Sequence, residues 1–147
     1  MARRTEPPRP AAGRIDLPAA LADAIRAQAA AADPRECCGL LEGVRQGSVW
    51  TVTALHPAAN LAQDMDRFAI DPAAHFAALR AARGRGRAII GCYHSHPGGA
   101  ARPSMRDEQG AGEEDFVWLI AAGGDLTGFV WRGGGFAPLA GIIGQPL

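Results

Sequence analysis

Ala88-Ile89-Ile90-Gly91-Cys92-Tyr93 runs directly into His94-Ser95-His96-Pro97. The first six residues are almost continuously apolar, as in a strand whose sheet is covered on both faces rather than half-exposed to water. Upstream, Asp71-Pro72 opens a helix with Phe76, Leu79 and alanines on its face, and Gly84 and Gly86 close it. Downstream, residues 98–103 read as a loop and 104–112 as a short helix. Strands follow over 116–122, 127–131 and 136–143, separated by turns at Gly123-Gly124-Asp125 and Gly133-Gly134-Gly135.

Toward the amino terminus, residues 48–55 are rich in Val, Thr and Trp and read as a strand, with a turn over 43–47 and a short apolar run over 36–41 before it. Residues 56–65 are irregular, and 67–70 read as a short strand. Leu17, Leu21 and Ile25 recur at helical spacing over 15–32, with Asp16 as cap and Pro18 in the first turn; Asp33-Pro34 ends that helix. Residues 1–14, rich in Pro and Arg, read as a disordered tail, which leaves 15–147 as one domain. The order of elements predicts an α/β fold in which a mixed central β-sheet packs against helices.

Composition removes several functions. Acidic and basic residues balance at 15 each, so there is none of the basic excess that marks a nucleic-acid partner. Every basic residue is arginine, and the absence of lysine excludes a Walker-type phosphate loop and Schiff-base chemistry. Cys37, Cys38 and Cys92 are odd in number and badly spaced for a disulfide framework, and without a CxxC pair they make no zinc ribbon. Arg3, Arg4 and Arg9 are not followed by an apolar stretch, so the start is no signal peptide, and no segment approaches a membrane span. A soluble, cytoplasmic setting without membrane partners is the expectation.

The chemistry concentrates at the end of the apolar strand. His94 and His96 are two apart, so in an extended chain they share a face with alpha carbons roughly 6.5–7 Å apart. That spacing suits two imidazoles meeting one ion at about 2.0–2.1 Å. Ser95 faces the other way and reads as structural. Cys92 is in phase with both histidines, where a buried thiol is the simpler reading. Asp107 follows on the short helix, where a loop of this size can fold its carboxylate over the strand end. Two imidazoles and one carboxylate would leave a fourth zinc position open, as in a catalytic rather than a structural site. Taken alone, Ser104-Met105-Arg106-Asp107 is better read as a capping box, though a helix start is also a rigid mount for a ligand. Read alone, Glu36 is an ordinary surface or capping residue. His56 and His75 lack partners at ligand spacing, and Asn60 is a candidate for approaching a substrate.

The whole string, His94-Ser95-His96-Pro97 and then Pro103-Ser104-Met105-Arg106-Asp107, resembles the signature of the JAMM (MPN+) zinc metallopeptidases. Glu36-Cys37-Cys38-Gly39-Leu40-Leu41 resembles the upstream glutamate segment of the same family, and the similarity extends over residues 15–143. The resemblance implies a JAMM/MPN, cytidine-deaminase-like architecture. It makes His94, His96 and Asp107 the zinc ligands. Glu36 becomes the general base that takes the proton of the attacking water and passes it to the leaving amine. Ser104 becomes the hydroxyl that stabilises the oxyanion.

Known members mostly cut after the carboxyl-terminal Gly-Gly of ubiquitin-like proteins. With only five residues between Pro97 and Pro103, the chain lacks room for the insertions of the eukaryotic deubiquitinases. It is closer to compact bacterial members, which implies a small ubiquitin-like sulfur-carrier protein with a Gly-Gly tail as partner. Three other readings stand beside this one: a phage- or cell-wall-associated peptidase, a non-catalytic scaffold, and a thiol hydrolase pairing a cysteine with His94. A zinc nucleobase deaminase is excluded, because H-x-E and P-C-x-x-C are both missing.

Overall fold

The apolar strand, β4 (Ala88–Ser95), is central in a computed structural model that describes residues 12–143. Counting from the amino end of the described residues, β1 (Arg14–Leu17), α1 (Ala19–Ala32), β2 (Cys38–Gln46), β3 (Val49–Ala58) and α2 (Pro72–Gly84) precede it. After it come α3 (Met105–Gly110), β5 (Val117–Ala122), β6 (Asp125–Arg132), β7 (Gly135–Pro138) and β8 (Ala140–Ile143). Among the described residues the strands form one eight-stranded sheet in the order β7-β6-β5-β4-β2-β3-β1-β8. β4 lies antiparallel to β2 and parallel to β5, and β1 is parallel to both β3 and β8. The two ends of the sheet are consecutive in sequence, joined through Leu139, whose N–H donates to the Gly128 carbonyl. The sheet therefore curls into a near-barrel, the mixed, helix-packed α/β class expected.

β4 is covered on both faces. Tyr93 belongs to the main core with Leu41, Trp50, Leu119 and Ile25 of α1, and its hydroxyl donates to Gln28 at 2.6 Å. Cys92 faces the other way, into a smaller cluster with Leu40, Trp118 and Ala78 of α2. Gly39 of β2 lies over the Tyr93 ring, where a Cβ would come within 2.4 Å of it, so the glycine is what lets the two strands pair at that level. Gly123-Gly124 and Gly133-Gly134 all have positive φ and form two-residue hairpins, the turns read from the sequence.

Several boundaries differ from expectation, each for a local reason. Residues 14–17 are a strand and not the start of the first helix: Ile15 and Leu17 alternate inward about Asp16, and Pro18 favours an extended residue before it. Pro18, not Asp16, occupies the N-cap position. Of the tail expected over 1–14, residues 1–11 lie outside the described residues, whereas Ala12 already donates to Pro138 and Arg14 opens β1. The turn expected over 43–47 narrows to Gly47-Ser48, because β2 continues to Gln46 through a bulge at Glu42/Gly43. Residues 67–70 contribute a single bridge, Asn60 to Ile70, and Leu139 divides 136–143 into two strands. No helix among the described residues is long and apolar enough to cross a membrane.

The bulge aims a charged group inward. Glu42 is fully buried, with Arg85 donating from Nε at 3.0 Å and from Nη2 at 2.6 Å, and His56 Nε2 at 2.8 Å. The Arg85 hydrogen bonds, opposed by burial and assisted by His56, hold the Glu42 carboxyl at a pKa of about 2. A carboxyl depressed on folding stabilises the fold above its unfolded value and loses that contribution as the pH falls through its folded value. Between about pH 4.5 and 2 the wild type should therefore lose stability that Glu42→Ala lacks throughout. Parallel urea titrations at pH 7 and pH 3 measure this. Equal pH sensitivity of the two proteins would count against it.

Candidate metal centre

β4 ends where β2 begins. Cys38 is in register with His94, which brings the start of β2 and the residue before it to the carboxyl end of β4. His94 is completely buried, stacked on Phe68 at a centroid distance of 4.4 Å and edge-on to Trp118. Its Nε2 lies 2.9 Å from Nε2 of His96. Both nitrogens are 3.1 Å from Oδ2 of Asp107. Asp107 is held by the capping box: its carboxylate accepts from the Ser104 N–H at 2.8 Å, and the Ser104 hydroxyl accepts from the Asp107 N–H at 3.1 Å. Capping and convergence on the histidines are thus properties of one carboxylate, and the two sequence readings of Asp107 do not compete.

Three atoms in such a triangle cannot all be joined by hydrogen bonds: protons on both inward nitrogens would set two donors face to face, and a single one would leave a nitrogen lone pair facing the carboxylate. The Nδ1 of His96 lies 3.0 Å from the Ala100 carbonyl, which only accepts, so Nδ1 carries a proton and in the neutral ring Nε2 presents a lone pair inward. Tetrahedral bonds of 2.0–2.1 Å would set ligand atoms about 3.3 Å apart, close to what is seen. Glu36 completes the ring: one of its carboxylate oxygens and the ring nitrogens of His94 and His96 lie within 4.8 Å of one another. Glu36 is 4 % exposed, and its Oε1 is buried without a hydrogen-bond partner among the described residues. Two imidazoles, a close carboxylate and an orphaned second carboxylate are the donor set of a zinc ion with room for one more ligand.

The electrostatics agree, except at His96, where Asp107 and the Ala100 carbonyl outweigh burial and raise the pKa. Burial, reinforced by Asp107 and Asp66 against His96, raises Glu36 to a pKa of about 7. Burial also pushes Asp107 up, but the neighbouring rings of His94 and His96 and the hydrogen bond from the Ser104 N–H outweigh it and hold it well below the usual carboxylate range. Burial depresses His94, favouring the neutral ligand form. A lone cavity wall is not the setting: Glu36, His96 and Ser104 face an open groove of ≈ 500 Å³ between Met65 and Asp66 on one side and Pro97, Gly99 and Pro103 on the other.

Comparison with known proteins places this geometry. Residues 18–132 match the family of prokaryotic homologues of the JAB domain. The chain belongs to that family. A solved JAB1/MPN domain protein from Archaeoglobus fulgidus shares its fold, with a TM-score of 0.52 at 20 % identity over 89 % of this chain and 98 % of that one. A Desulfitobacterium hafniense protein of known solution structure is nearer, at 30 % identity and a TM-score of 0.81 over 90 % of this chain and 94 % of that one. A probable TtuB-protein conjugate cleaving protease of Thermus thermophilus is 35 % identical over 92 residues, 62 % of this chain. Those residues make up 59 % of that relative's length.

In this JAB-domain chain, Glu36, His94, His96, Ser104 and Asp107 come together as the JAMM resemblance implies, around a metal triad of JAMM type. The Asn60 amide is not free to bind a substrate. Both its amide protons and its oxygen are engaged with the backbone. Ser95 is structural as read, its hydroxyl accepting from the Cys37 N–H at 2.8 Å. His56 pairs with Glu42, away from the cluster. Burial raises all three thiols, Cys38 to about 12, the opposite of the depressed pKa a nucleophilic cysteine needs. Phe68, the face on which His94 stacks, is not legible in the sequence, since nothing in its local pattern distinguishes it from a strand aromatic.

Proposed function

We propose that the chain is a zinc-dependent peptidase that hydrolyses the bond after the carboxyl-terminal Gly-Gly of a small ubiquitin-like protein in the cytoplasm. One observation carries the enzymatic part: the inward atoms of His94, His96 and Asp107 meet within 3.1 Å beside a buried, unpartnered Glu36 on an open groove. His94, His96 and Asp107 would hold the zinc. When bound there, zinc supplies Lewis acidity and lowers the pKa of water toward about 7. Glu36, near 7 itself, takes the proton of the attacking water and returns it to the leaving amine. Ser104 stands on the groove with its oxygen already accepting from Asp107 N–H, so its own proton is free to be donated to the oxyanion. The cap fixes the direction of the hydroxyl before substrate arrives.

The substrate class is supported by the Thermus relative, named for cleaving conjugates of a protein, and by the groove. Pro34, Pro97 and Pro103 give it stiff walls, and a tail without side chains can lie in it extended. The test is mass spectrometry of the zinc-loaded protein with Gly-Gly-extended carrier proteins, Lys-linked polyubiquitin and cell-wall peptides. Cleavage directly after Gly-Gly of the carriers, with little turnover of the chains, is expected. Cleavage of the cell-wall peptides alone would remove the carrier assignment. No hydrolysis of any amide would return the chain to the scaffold reading.

Ser104→Ala separates two roles on one variant. Loss of the oxyanion donor should lower turnover about 10²–10³-fold, and loss of the cap should lower stability by about 1 kcal/mol. Turnover and thermal melts are measured together; a stability loss with normal turnover leaves Ser104 a cap only.

A further inference from the structure

Glu36 lies outside every regular element, since α1 ends at Ala32 and β2 begins at Cys38. The peptide unit that follows it is nevertheless gripped from both ends by side chains. Asn60 Nδ2 donates to the Glu36 carbonyl at 3.0 Å, and the Cys37 N–H donates to Ser95 Oγ at 2.8 Å. Asn60 does more. Its Nδ2 also donates to the Arg67 carbonyl at 3.0 Å, and its Oδ1 accepts from Ala62 N–H at 2.9 Å and Ala69 N–H at 3.0 Å. An asparagine amide has two N–H donors and an oxygen with two lone pairs, so the whole capacity of this group is spent on backbone.

The segment 60–69 that this amide gathers builds three parts of the site. Met65 and Asp66 wall the groove. Phe68 is the face on which His94 stacks. Arg35, next to Glu36 in sequence, bonds the Ala62 carbonyl of the same segment, and Arg106 of α3 pairs with Asp66 at 3.4 Å. Asn60 is thus the joint at which the carrier of the carboxylate and the groove wall are fixed to each other.

We propose that Asn60 is a positioning residue that sets the Glu36 carboxylate over the metal centre. The proposal rests on the reading of Glu36 as general base. Misplacing a reacting group by about 1 Å costs on the order of 10²-fold in rate, and the hydrogen bonds of Asn60 go to backbone and not to His94, His96 or Asp107. Asn60→Ala should therefore lower kcat about 10–100-fold while zinc content, measured by mass spectrometry of the metal, stays at the wild-type level.

The deciding experiment is a cycle of Asn60→Ala, Glu36→Gln and the double variant, with kcat and KM measured separately. A residue acting through the base loses its effect once the base is gone, so Asn60→Ala should change kcat little in the Glu36→Gln background. The same fold-loss in both backgrounds, or a rise in KM at constant kcat, would make Asn60 a loop staple and overturn the proposal. Normal turnover by Glu36→Gln alone would instead remove the general-base reading. Asn60→Asp guards against misfolding, since it keeps the acceptor for Ala62 and Ala69 but loses the donor to the Glu36 and Arg67 carbonyls. In the metal-free protein those two amides should stay protected from hydrogen exchange in Asn60→Asp and lose protection in Asn60→Ala. Asn60→Asp with those amides protected and kcat unchanged would also overturn the proposal.

Discussion

Alanine at His94, His96 or Asp107 is expected to leave a folded chain with little zinc and no measurable hydrolysis. Each supplies one of three atoms that meet within 3.1 Å, and no other described residue stands ready at that point except Glu36. Even an outer partner of a metal ligand is worth about 10–100-fold in affinity, so loss of a ligand itself should exceed 10²-fold. Stability supplies a readout independent of turnover. A metal that binds only the folded state at 1,000 times its dissociation constant adds about 4 kcal/mol. Chelation should therefore lower the melting temperature of the wild type by several degrees and barely move the three variants. Asp107→Ala needs its own control, because the same carboxylate completes the capping box. Ser104→Ala breaks that box while leaving all three inward atoms in place. Zinc retained by Ser104→Ala and lost by Asp107→Ala assigns the loss to coordination. Full zinc content in all three alanine variants would end the metal assignment.

How far these residues were legible follows from the range of the interactions that place them. His94 and His96 share a face because side chains alternate along a strand, which is visible in three residues. Asp107 is visible as a cap from the four residues of its own box, but its second role depends on the loop returning it to β4. Glu36 is different. It reaches the cluster through the pairing of Cys38 with His94 and the bond from Cys37 to Ser95, 58 residues away, and only the family resemblance marked it in advance. Glu42 is illegible for a related reason. A lone acidic residue after an apolar run reads as the end of burial, whereas the bulge turns it inward toward an arginine 43 residues later. β1 is hidden in the sequence because two alternating apolar residues are too few to outweigh a longer helical period beside them. Asn60 was noticed as a polar residue near the site, but its backbone partners lie in an irregular segment with no period to read.

Glu36→Gln is expected to keep zinc and lose about 10²–10⁴-fold in turnover, the usual worth of a general base. The substitution is nearly isosteric, so the peptide grip of Asn60 and Ser95 and the triangle of His94, His96 and Asp107 should survive it. What changes is proton affinity: a carboxylate held near 7 by burial is replaced by an amide that accepts no proton at any working pH. Burial is the larger cause of that raised value, and the positive charge of a bound cation would act against it. Wild-type activity should accordingly fall on the acid side as Glu36 becomes protonated, with a midpoint at or below about 7. Glu36→Gln should lose that limb while its residual rate stays flat or follows hydroxide. Metal analysis, melting temperature and the pH profile taken on one preparation distinguish the possibilities. Zinc lost together with activity would make Glu36 a fourth ligand, as its place within 4.8 Å of both ring nitrogens allows. Zinc retained with normal turnover would remove the general-base reading of Glu36.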